Sequence, residues 1–160
     1  MAKNDAIDPQ AEITRWIKPK FLARDDDGNI ELDANSHPAF VFPQAFQLRA
    51  DLEEEYLSVT CLEFFDGDRI GRLKASANAV RQSQASKKLS RDSAFAVAVT
   101  ERVRSACESF GHRVRILEEP IDGNCGHVAI RRFPFETSEL HAVLSRDIFF
   151  ERHLYRLLVN

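Results

Sequence analysis

The sequence has few cysteines and no long apolar run, and both features limit the classes of protein to which it can belong. Its 160 residues include three cysteines, Cys61, Cys107 and Cys125, which are odd in number and widely spaced. This arrangement does not suit a disulfide framework and favours a reducing compartment. No apolar run approaches the roughly 18–20 residues that a transmembrane helix needs, and the opening MAKNDAIDPQ lacks the apolar core of a signal peptide. We therefore expect a cytoplasmic protein with no membrane association.

Motifs that bind metals or phosphates are also missing. There is no Cys-x-x-Cys or His-Glu-x-x-His spacing, and the five histidines are scattered along the chain. The run DDDGN at 25–29 resembles the start of a calcium loop, but Ile30 stands where that loop requires glycine. The segment GDRIGR at 67–72 would suit an anion at the start of a helix, yet it lacks the Gly-Lys-Ser/Thr of a P-loop. The sequence predicts no metal, no cofactor and no disulfide.

Composition and length place the chain among globular proteins of one domain. Hydrophobic residues make up 44% of it and charged residues 29%, close to the globular average. The charge is uneven, because residues 1–68 carry six Lys or Arg and fifteen Asp or Glu, a net charge of −9. Residues 69–160 carry sixteen and ten, a net charge of +6. This asymmetry indicates either self-association through complementary faces or a basic surface for a polyanion, unless the halves interleave in space.

Residues 1–35 are predicted to form an extended N-terminal arm that ends in a turn at 25–29. Pro19 excludes a helix interior and favours an extended residue before it. The arm carries Trp16, Phe21 and Leu22, whose apolar area must be covered by this chain's own sheet or by a partner. We predict these three side chains to be a partner-binding element, since aromatic anchors dominate interface energies.

The body, residues 36–160, reads as a mixture of strands and helices. Short apolar or alternating runs predict strands, and runs of helical period predict helices. The predicted strands are 39–42, 57–65, 95–99, 113–117 and 126–131, and the predicted helices are 72–88, 100–110 and a last one from Thr137 or Ser138 to Leu158. A single helix over 93–110 is the rival interpretation of that segment. The sum is a single α+β domain with a mixed or mainly antiparallel sheet and a C-terminal helix packed across it.

Two residues of the body are candidates for catalysis. His127 follows a flexible loop at the start of a predicted strand, where a rigid element can aim a side chain at a ligand. Cys125 could in principle pair with it, but residues two apart on a strand lie about 6–7 Å from each other. Glu63 is the one carboxylate in a strongly apolar strand, and its parity places it with Leu57 and Cys61 on the apolar side. Buried there, it would suit a general acid.

A basic segment is the candidate surface for nucleic acid or another anion. It comprises Arg72, Arg81, Lys87, Lys88 and Arg91. Such a run suits contact with a phosphate backbone, although a solvated helix face has the same composition. Aromatic residues are not interleaved with it, so stacking on single-stranded bases is not indicated.

Several short motifs taken together resemble small bacterial proteins of no assigned activity. They are Leu57-Ser58-Val59, Glu63, Phe95-Ala96-Val97-Ala98, Val114, Glu119-Pro120 and His127-Val128-Ala129-Ile130. The resemblance covers residues 38–131, and Val128 departs from it, since the closing motif usually has alanine there. It implies a bacterial cytoplasmic protein and marks Ser58, Glu63 and His127 as positions to examine, but it implies no chemistry.

Three functions are compatible with these features. The first is a non-catalytic accessory subunit of a bacterial multi-protein system, which docks on a partner protein or on its own copies. The second is a small enzyme acting on a nucleotide or nucleic acid, with Glu63 and His127 converging among arginines such as Arg115. The third is a nucleic-acid-binding module that uses the basic segment. The enzyme requires Glu63 and His127 within about 8 Å of each other in a concave pocket.

Overall fold

The computed structural model describes residues 6–49, 53–84, 89–136 and 138–159, and six strands of these residues form one sheet. The strands are β1 (Glu12–Ile17), β2 (Tyr56–Cys61), β3 (Ala94–Val99), β4 (Arg115–Glu118), β5 (His127–Arg131) and β6 (Glu151–Leu154). Their order across the sheet is β4-β5-β2-β1-β3-β6, and neighbouring strands pair antiparallel.

The α-helices of the described residues are α1 (Arg69–Ser83), α2 (Thr100–Ser109), α3 (Glu139–Val143) and α4 (Tyr155–Leu158). A π-helical turn over Leu144–Ile148 extends α3, and a 3-10 turn over Leu62–Phe64 follows β2. Together with the antiparallel sheet these helices confirm the predicted α+β class. Residues 94–109 are a strand followed by a helix, so the rival single helix over 93–110 is wrong.

The two faces of the sheet are covered by different helices. Alternation along β3 sends Ala94, Ala96 and Ala98 into the larger apolar core, together with buried side chains of α2 and α3. Phe95 and Val97 point to the opposite face and pack in a smaller core with α1 and α4. Both faces of β3 are therefore dry, which explains why its sequence is continuously apolar rather than alternating.

Strand β1 lies at the centre of the sheet, which corrects the predicted N-terminal arm. It is extended, as the sequence indicated, but it pairs with β3 over all six residues and with β2 at Ile13 and Thr14. Ile13 and Ile17 are fully buried. Residues 12–17 are therefore part of the body and not a separate arm.

Helix α1 begins with a capped first turn and presents a thin apolar stripe to the sheet. The Asp68 carboxylate accepts a hydrogen bond from the Gly71 amide at 2.8 Å, a normal N-cap. Leu73 and Ala77 are fully buried, and Val80 packs partly against the same core. The helix ends at Ser83, and residues 85–88 of the predicted helix lie outside the described residues.

Arg69, the first residue of α1, ties the helix to two strands. Its guanidinium contacts the Glu12 carboxylate of β1 at 2.6 Å and the Glu151 carboxylate of β6 at 2.7 Å. His153 also contacts Glu151, at 2.7 Å. These hydrogen bonds, from His153 and then from Arg69, lower the pKa of Glu151 to about 2.

The C-terminal segment departs from the single helix predicted to run to Leu158. Ser138 caps α3, and Thr137 lies outside the described residues. The helix then gives way to the π-helical turn and to β6, which pairs with β3, before α4 closes the chain. The apolar spacing of 140–158 matches a helix, but residues 151–154 gain backbone hydrogen bonds from β3 that no local pattern reveals.

Candidate functional site

A polar cavity opens where β1 and β2 separate. The two strands pair only at Ile13 with Cys61 and Thr14 with Thr60, and beyond these pairs the gap between them widens. The cavity measures about 210 Å³. Its wall includes side chains of β1, β2 and β5, the last turn of α1 and the loop between β4 and β5. They include Thr14, Arg15, Ser58, Thr60, Ser83, Asn124 and His127.

Ser58 and His127 form a hydrogen-bonded pair on this wall. The Ser58 hydroxyl lies 3.1 Å from Nε2 of His127, and Nδ1 of His127 lies 2.8 Å from the main-chain oxygen of Glu119. A carbonyl oxygen can only accept, so Nδ1 carries the proton. In the neutral ring, Nε2 is then the acceptor of the Ser58 hydroxyl proton. The arrangement is a hydroxyl, an imidazole and an orienting acceptor in line.

Burial keeps the His127 ring neutral. The residue is 3% exposed, and this loss of water lowers the pKa of His127 below its ordinary value of about 6.5. The main-chain hydrogen bond to Glu119 opposes the shift without reversing it. The ring of Tyr56 packs edge-on against the imidazole at 5.6 Å. Near neutral pH, His127 is therefore an unprotonated base in a fixed orientation.

Arg131 holds the segment that orients His127. Its Nη2 donates to the Glu119 carboxylate at 2.6 Å, and its guanidinium also stacks on Tyr56 at 4.9 Å. The Glu119 side chain is thereby fixed, and with it the carbonyl group that receives the His127 proton. Arg131 is not among the described residues that line the cavity, so it acts on the pair through Glu119.

Arg15 places a positive charge in the gap between β1 and β2. Its Nε and Nη2 donate to the Ala45 carbonyl at 3.0 and 2.8 Å, and its Nη1 donates to the Ser58 carbonyl at 2.8 Å. These neutral acceptors account for three of the five N–H groups of a guanidinium. Withdrawal from water lowers the pKa of Arg15 to about 10, with Glu54 partly opposing the shift. The group remains a cation at neutral pH and forms no ion pair with a carboxylate among the described residues.

Buried polar side chains make up the floor of the cavity. Asn124 donates from Nδ2 to Thr60 Oγ1 at 2.9 Å, and its Oδ1 accepts the Gly126 amide at 3.1 Å. Thr14 Oγ1 lies 3.4 Å from Ser76 Oγ of α1. These contacts leave the floor hydrogen-bonded and rigid, as a binding site requires.

The charged residues on the wall are mainly positive. Among the described residues, Arg15, Lys18 and Arg49 line the cavity, together with one carboxylate, Glu54. With His127 neutral, these four groups give a net charge of +2. A concave site with this balance attracts anions.

His127 occupies this site, but Glu63 does not join it. Strand β2 ends at Cys61, and the following 3-10 turn leaves Glu63 exposed, which removes the predicted conflict of parity. Its carboxylate accepts the Glu12 amide at 2.9 Å, and among the described residues on the cavity wall it does not appear. No hydrogen bond joins Glu63 to His127, whose two ring nitrogens contact the Glu119 carbonyl and Ser58 instead. Ser58, which the resemblance singled out, takes the place beside His127.

Two other residues expected near His127 lie elsewhere. Cys125 is exposed, and both ring nitrogens of His127 are occupied by other partners, so the Cys125–His127 pair does not form. Arg115 lies on β4 opposite Arg131 and is exposed. Neither residue belongs to the described wall of the cavity.

The basic segment does not form one surface on α1. Arg72 and Arg81 are nine residues apart, which at 3.6 residues per turn places them on opposite sides of the helix. Arg91 is exposed beyond the helix, and Lys87 and Lys88 lie outside the described residues. The described part of the segment therefore does not support the predicted nucleic-acid surface.

The aromatic residues predicted to bind a partner are covered largely by this chain. Leu22 is 2% exposed and belongs to the larger core, against which Phe21 also packs. Trp16 packs against the smaller core and contributes to the cavity wall. The apolar area of the arm is thus covered by the chain's own sheet, the first of the two alternatives.

Sequence reasoning missed Arg15, Thr60 and Asn124. Thr60 and Asn124 were included in a strand and a turn without a role, and Arg15 was overlooked because β1 was assigned to an arm. The one available signal was Thr14-Arg15, two polar residues between buried Ile13 and Ile17. Polar residues inside a central strand need partners, and here those partners form the site.

Among the described residues, no cluster of three or more His, Cys, Asp or Glu side chains could hold a metal ion. Within the same ranges, no helix combines the length and apolar character needed to span a bilayer. Comparisons of the chain with protein-family models, curated proteins and solved structures give no match.

Proposed function

We propose that the protein binds a small anionic molecule in the cavity between β1 and β2. The observation that carries this proposal is the Arg15 guanidinium, whose hydrogen-bond partners among the described residues are neutral main-chain acceptors. The Glu54 carboxylate offsets its withdrawal from water only in part. A cation withdrawn from water is costly unless a negative charge approaches it. An anion in the cavity would supply that charge.

The size and chemistry of the wall define the ligand further. A cavity of about 210 Å³ is smaller than the roughly 300–1,000 Å³ that is typical of pockets for drug-sized ligands. This is the size of a small carboxylate or phosphate compound and not of a dinucleotide. Hydroxyl and amide groups on the floor can hydrogen-bond the polar parts of such a molecule.

Thermal unfolding in the presence of matched probes tests the proposal. Succinate and inorganic phosphate are titrated at constant ionic strength, with neutral succinamide as the control. Saturation at about 100 times Kd stabilises a protein by about 2.7 kcal/mol, which raises Tm by roughly 5–10 °C at this chain length. Succinamide is expected to have no effect.

Variants connect this result to the cavity. Arg15→Met and Arg49→Met each remove a positive charge from the wall, whereas Arg113→Met removes an exposed arginine elsewhere. The first two are expected to weaken anion binding at least tenfold, and the third to leave it unchanged. If no anionic probe raises Tm, or if Arg113→Met weakens binding as much as the other two, the proposal is wrong.

Docking on a second copy of the chain is a second candidate function. Strand β6 is at one edge of the sheet, and the large apolar side chains of Phe150 and Leu157, just before and after it, are 59% and 54% exposed. Unpaired edges favour strand addition. Light scattering over a concentration series, with Phe150→Asp and Leu157→Asp as variants, tests it: a monomer at all concentrations contradicts self-association.

A further inference from the structure

We propose that Ser58 is the nucleophile of an acyl-transfer reaction in this cavity, that His127 is its general base, and that the substrate is a small ester with a negative charge. The juxtaposition that carries the proposal is the Ser58–His127 contact of 3.1 Å on the wall of an open cavity. The anionic character of the substrate rests on the proposed function. The reactivity of Ser58 does not.

The geometry supplies each part that an activated serine needs. A nucleophile is recognised by a base within hydrogen-bond distance and by a third group that orients the base. Here the Glu119 carbonyl receives the Nδ1 proton at 2.8 Å, which leaves Nε2 to accept from Ser58. The Ser58 side is exposed and the imidazole side is buried, so a substrate, and then water, can reach the pair from the cavity while the base keeps a fixed orientation.

A second serine on the same wall shows what distinguishes Ser58. Ser83 also lines the cavity, but its hydroxyl donates to the Val80 carbonyl at 2.8 Å. A carbonyl oxygen fixes the proton on the hydroxyl and cannot remove it. Ser83 is therefore a serine in the same cavity without a base, and we expect it to remain unlabelled in the wild type.

The reaction balances with water as the only co-reactant. Ser58 Oγ forms a bond to the ester carbonyl carbon as its proton moves to His127 Nε2. The bond from that carbon to the alcohol oxygen breaks, and the alcohol takes the proton from Nε2. A water molecule then gives a proton to Nε2 and attacks the acyl carbon. Ser58 leaves and recovers its proton, so the products are a carboxylic acid and an alcohol.

His127 keeps its Nδ1 proton on the Glu119 carbonyl through both steps. The imidazolium that forms transiently is stabilised by this carbonyl and by the nearby Glu119 carboxylate. No rearrangement of the ring is required between the two half-reactions, because Nε2 faces Ser58 throughout.

Covalent labelling of the full chain tests the nucleophile. The protein is treated with an alkyl fluorophosphonate, and the labelled residue is identified by peptide mass spectrometry. We expect one label, on Ser58, and none in Ser58→Ala. Ser109→Ala, which removes an exposed serine that also donates to a carbonyl but does not line the cavity, is expected to label at the wild-type rate. His127→Asn keeps a donor toward Glu119 but lacks Nε2, and we expect its labelling rate to fall by about 10²–10⁴-fold, the usual contribution of a general base.

Ester turnover then tests the substrate class. Turnover is measured with neutral p-nitrophenyl acetate and with the singly charged p-nitrophenyl succinate. We expect kcat/KM to be at least tenfold higher for the anionic ester, and Arg15→Met to abolish that preference. Absence of a Ser58 label, or labelling unaffected by His127→Asn, overturns the nucleophile.

The two proposals fail in different ways. Succinate binding to Ser58→Ala with an unlabelled wild type would retain the anion site and refute Ser58 as a nucleophile. A labelled Ser58 with equal turnover of both esters would retain the nucleophile and refute the anionic substrate.

Discussion

Two glycines with the same backbone conformation allow the closure of the cavity to be measured. Gly28 has φ of +83° and Gly123 has φ of +85°, a backbone conformation that residues with a side chain rarely adopt. A Cβ at Gly28 would meet nothing within 4 Å, whereas at Gly123 it would lie 2.8 Å from main-chain atoms of Gln82 and Ser83. Gly123 therefore marks the place where the β4–β5 loop touches the end of α1.

The difference between Gly123→Ala and Gly28→Ala isolates this contact. Both changes force an alanine into the left-handed backbone region, which lowers the free energy of unfolding by about 1–2 kcal/mol in each case. Only Gly123→Ala also forces two main-chain segments apart, and overpacking of this kind costs about 1–3 kcal/mol more. The contact is with backbone atoms and not with a flexible side chain, so neighbouring rotamers cannot relieve it. We expect Gly123→Ala to be the less stable variant by about 1–3 kcal/mol.

Urea unfolding followed by circular dichroism measures both variants under one protocol. With a slope of about 2 kcal/mol per molar urea, the midpoint of Gly123→Ala should lie about 0.5–1.5 M below that of Gly28→Ala. Gly123→Ala should also weaken anion binding, because the displaced loop and the displaced turn of α1 both line the cavity. Equal midpoints for the two variants would show that the loop does not touch α1, and the cavity as described would be wrong.

Three further changes test separate parts of the structure. Ile13→Ala, in the central strand, should lower the free energy of unfolding by about 2–5 kcal/mol. Ile70→Ala, at a 51% exposed position, should change the free energy of unfolding by less than about 0.5 kcal/mol. Equal urea midpoints for the two variants would contradict the central position of β1. The pKa of Glu151 is lowered to about 2, so its ionised form stabilises the fold above about pH 4.5 and this stabilisation is lost as pH falls toward 2. The urea midpoint of Glu151→Gln should therefore fall less steeply over this pH interval than that of the wild type. The rate of Ser58 labelling should be constant near neutral pH and fall at lower pH as His127 is protonated, since the pKa of His127 is lowered. Arg131→Met should raise the pKa of His127 and move this fall in rate to higher pH. If Arg131 has only a structural role, the pH profile will not move.

Strands with a local signature could be predicted from the sequence. Residues 94–99 are continuously apolar because both faces of β3 are covered, and residues 127–130 of β5 are buried in the same way. Residues 57–61 of β2 alternate only in part, since Leu57 and Val59 are buried and Ser58 is exposed. In each case burial is recorded in the residues of the strand itself, which is what periodicity detects.

Elements that depend on distant partners could not be predicted in this way. β1 contains Thr14 and Arg15, whose polar groups are satisfied by Ser76 of α1 and by main-chain oxygens of Ala45 and Ser58. None of these acceptors is local, so the strand resembles a polar arm in sequence. β6 likewise depends on its pairing with β3, and the apolar residues of the surrounding segment 140–158 satisfy a helical period.

The register that builds the core also creates the candidate site. β2 and β5 pair so that Ser58 lies opposite Ala129 and Thr60 lies opposite His127, which makes Ser58 and His127 diagonal neighbours on one face. Leu57, Val59 and their partners on β5 fill the larger core on the other face. A shift of one residue would turn the polar set toward the larger core and the apolar set toward the cavity.

The hydrophobic effect therefore fixes the alignment of two side chains 69 positions apart, with no local signal at either residue. Neither Ser58 nor His127 determines the pairing of β2 with β5, because the apolar residues on the opposite face already require it. The sequence shows the apolar half of this arrangement as alternation. The polar half becomes visible only when β2 and β5 are known to be neighbours, and for that reason Ser58 and His127 could be singled out separately but not recognised as a pair.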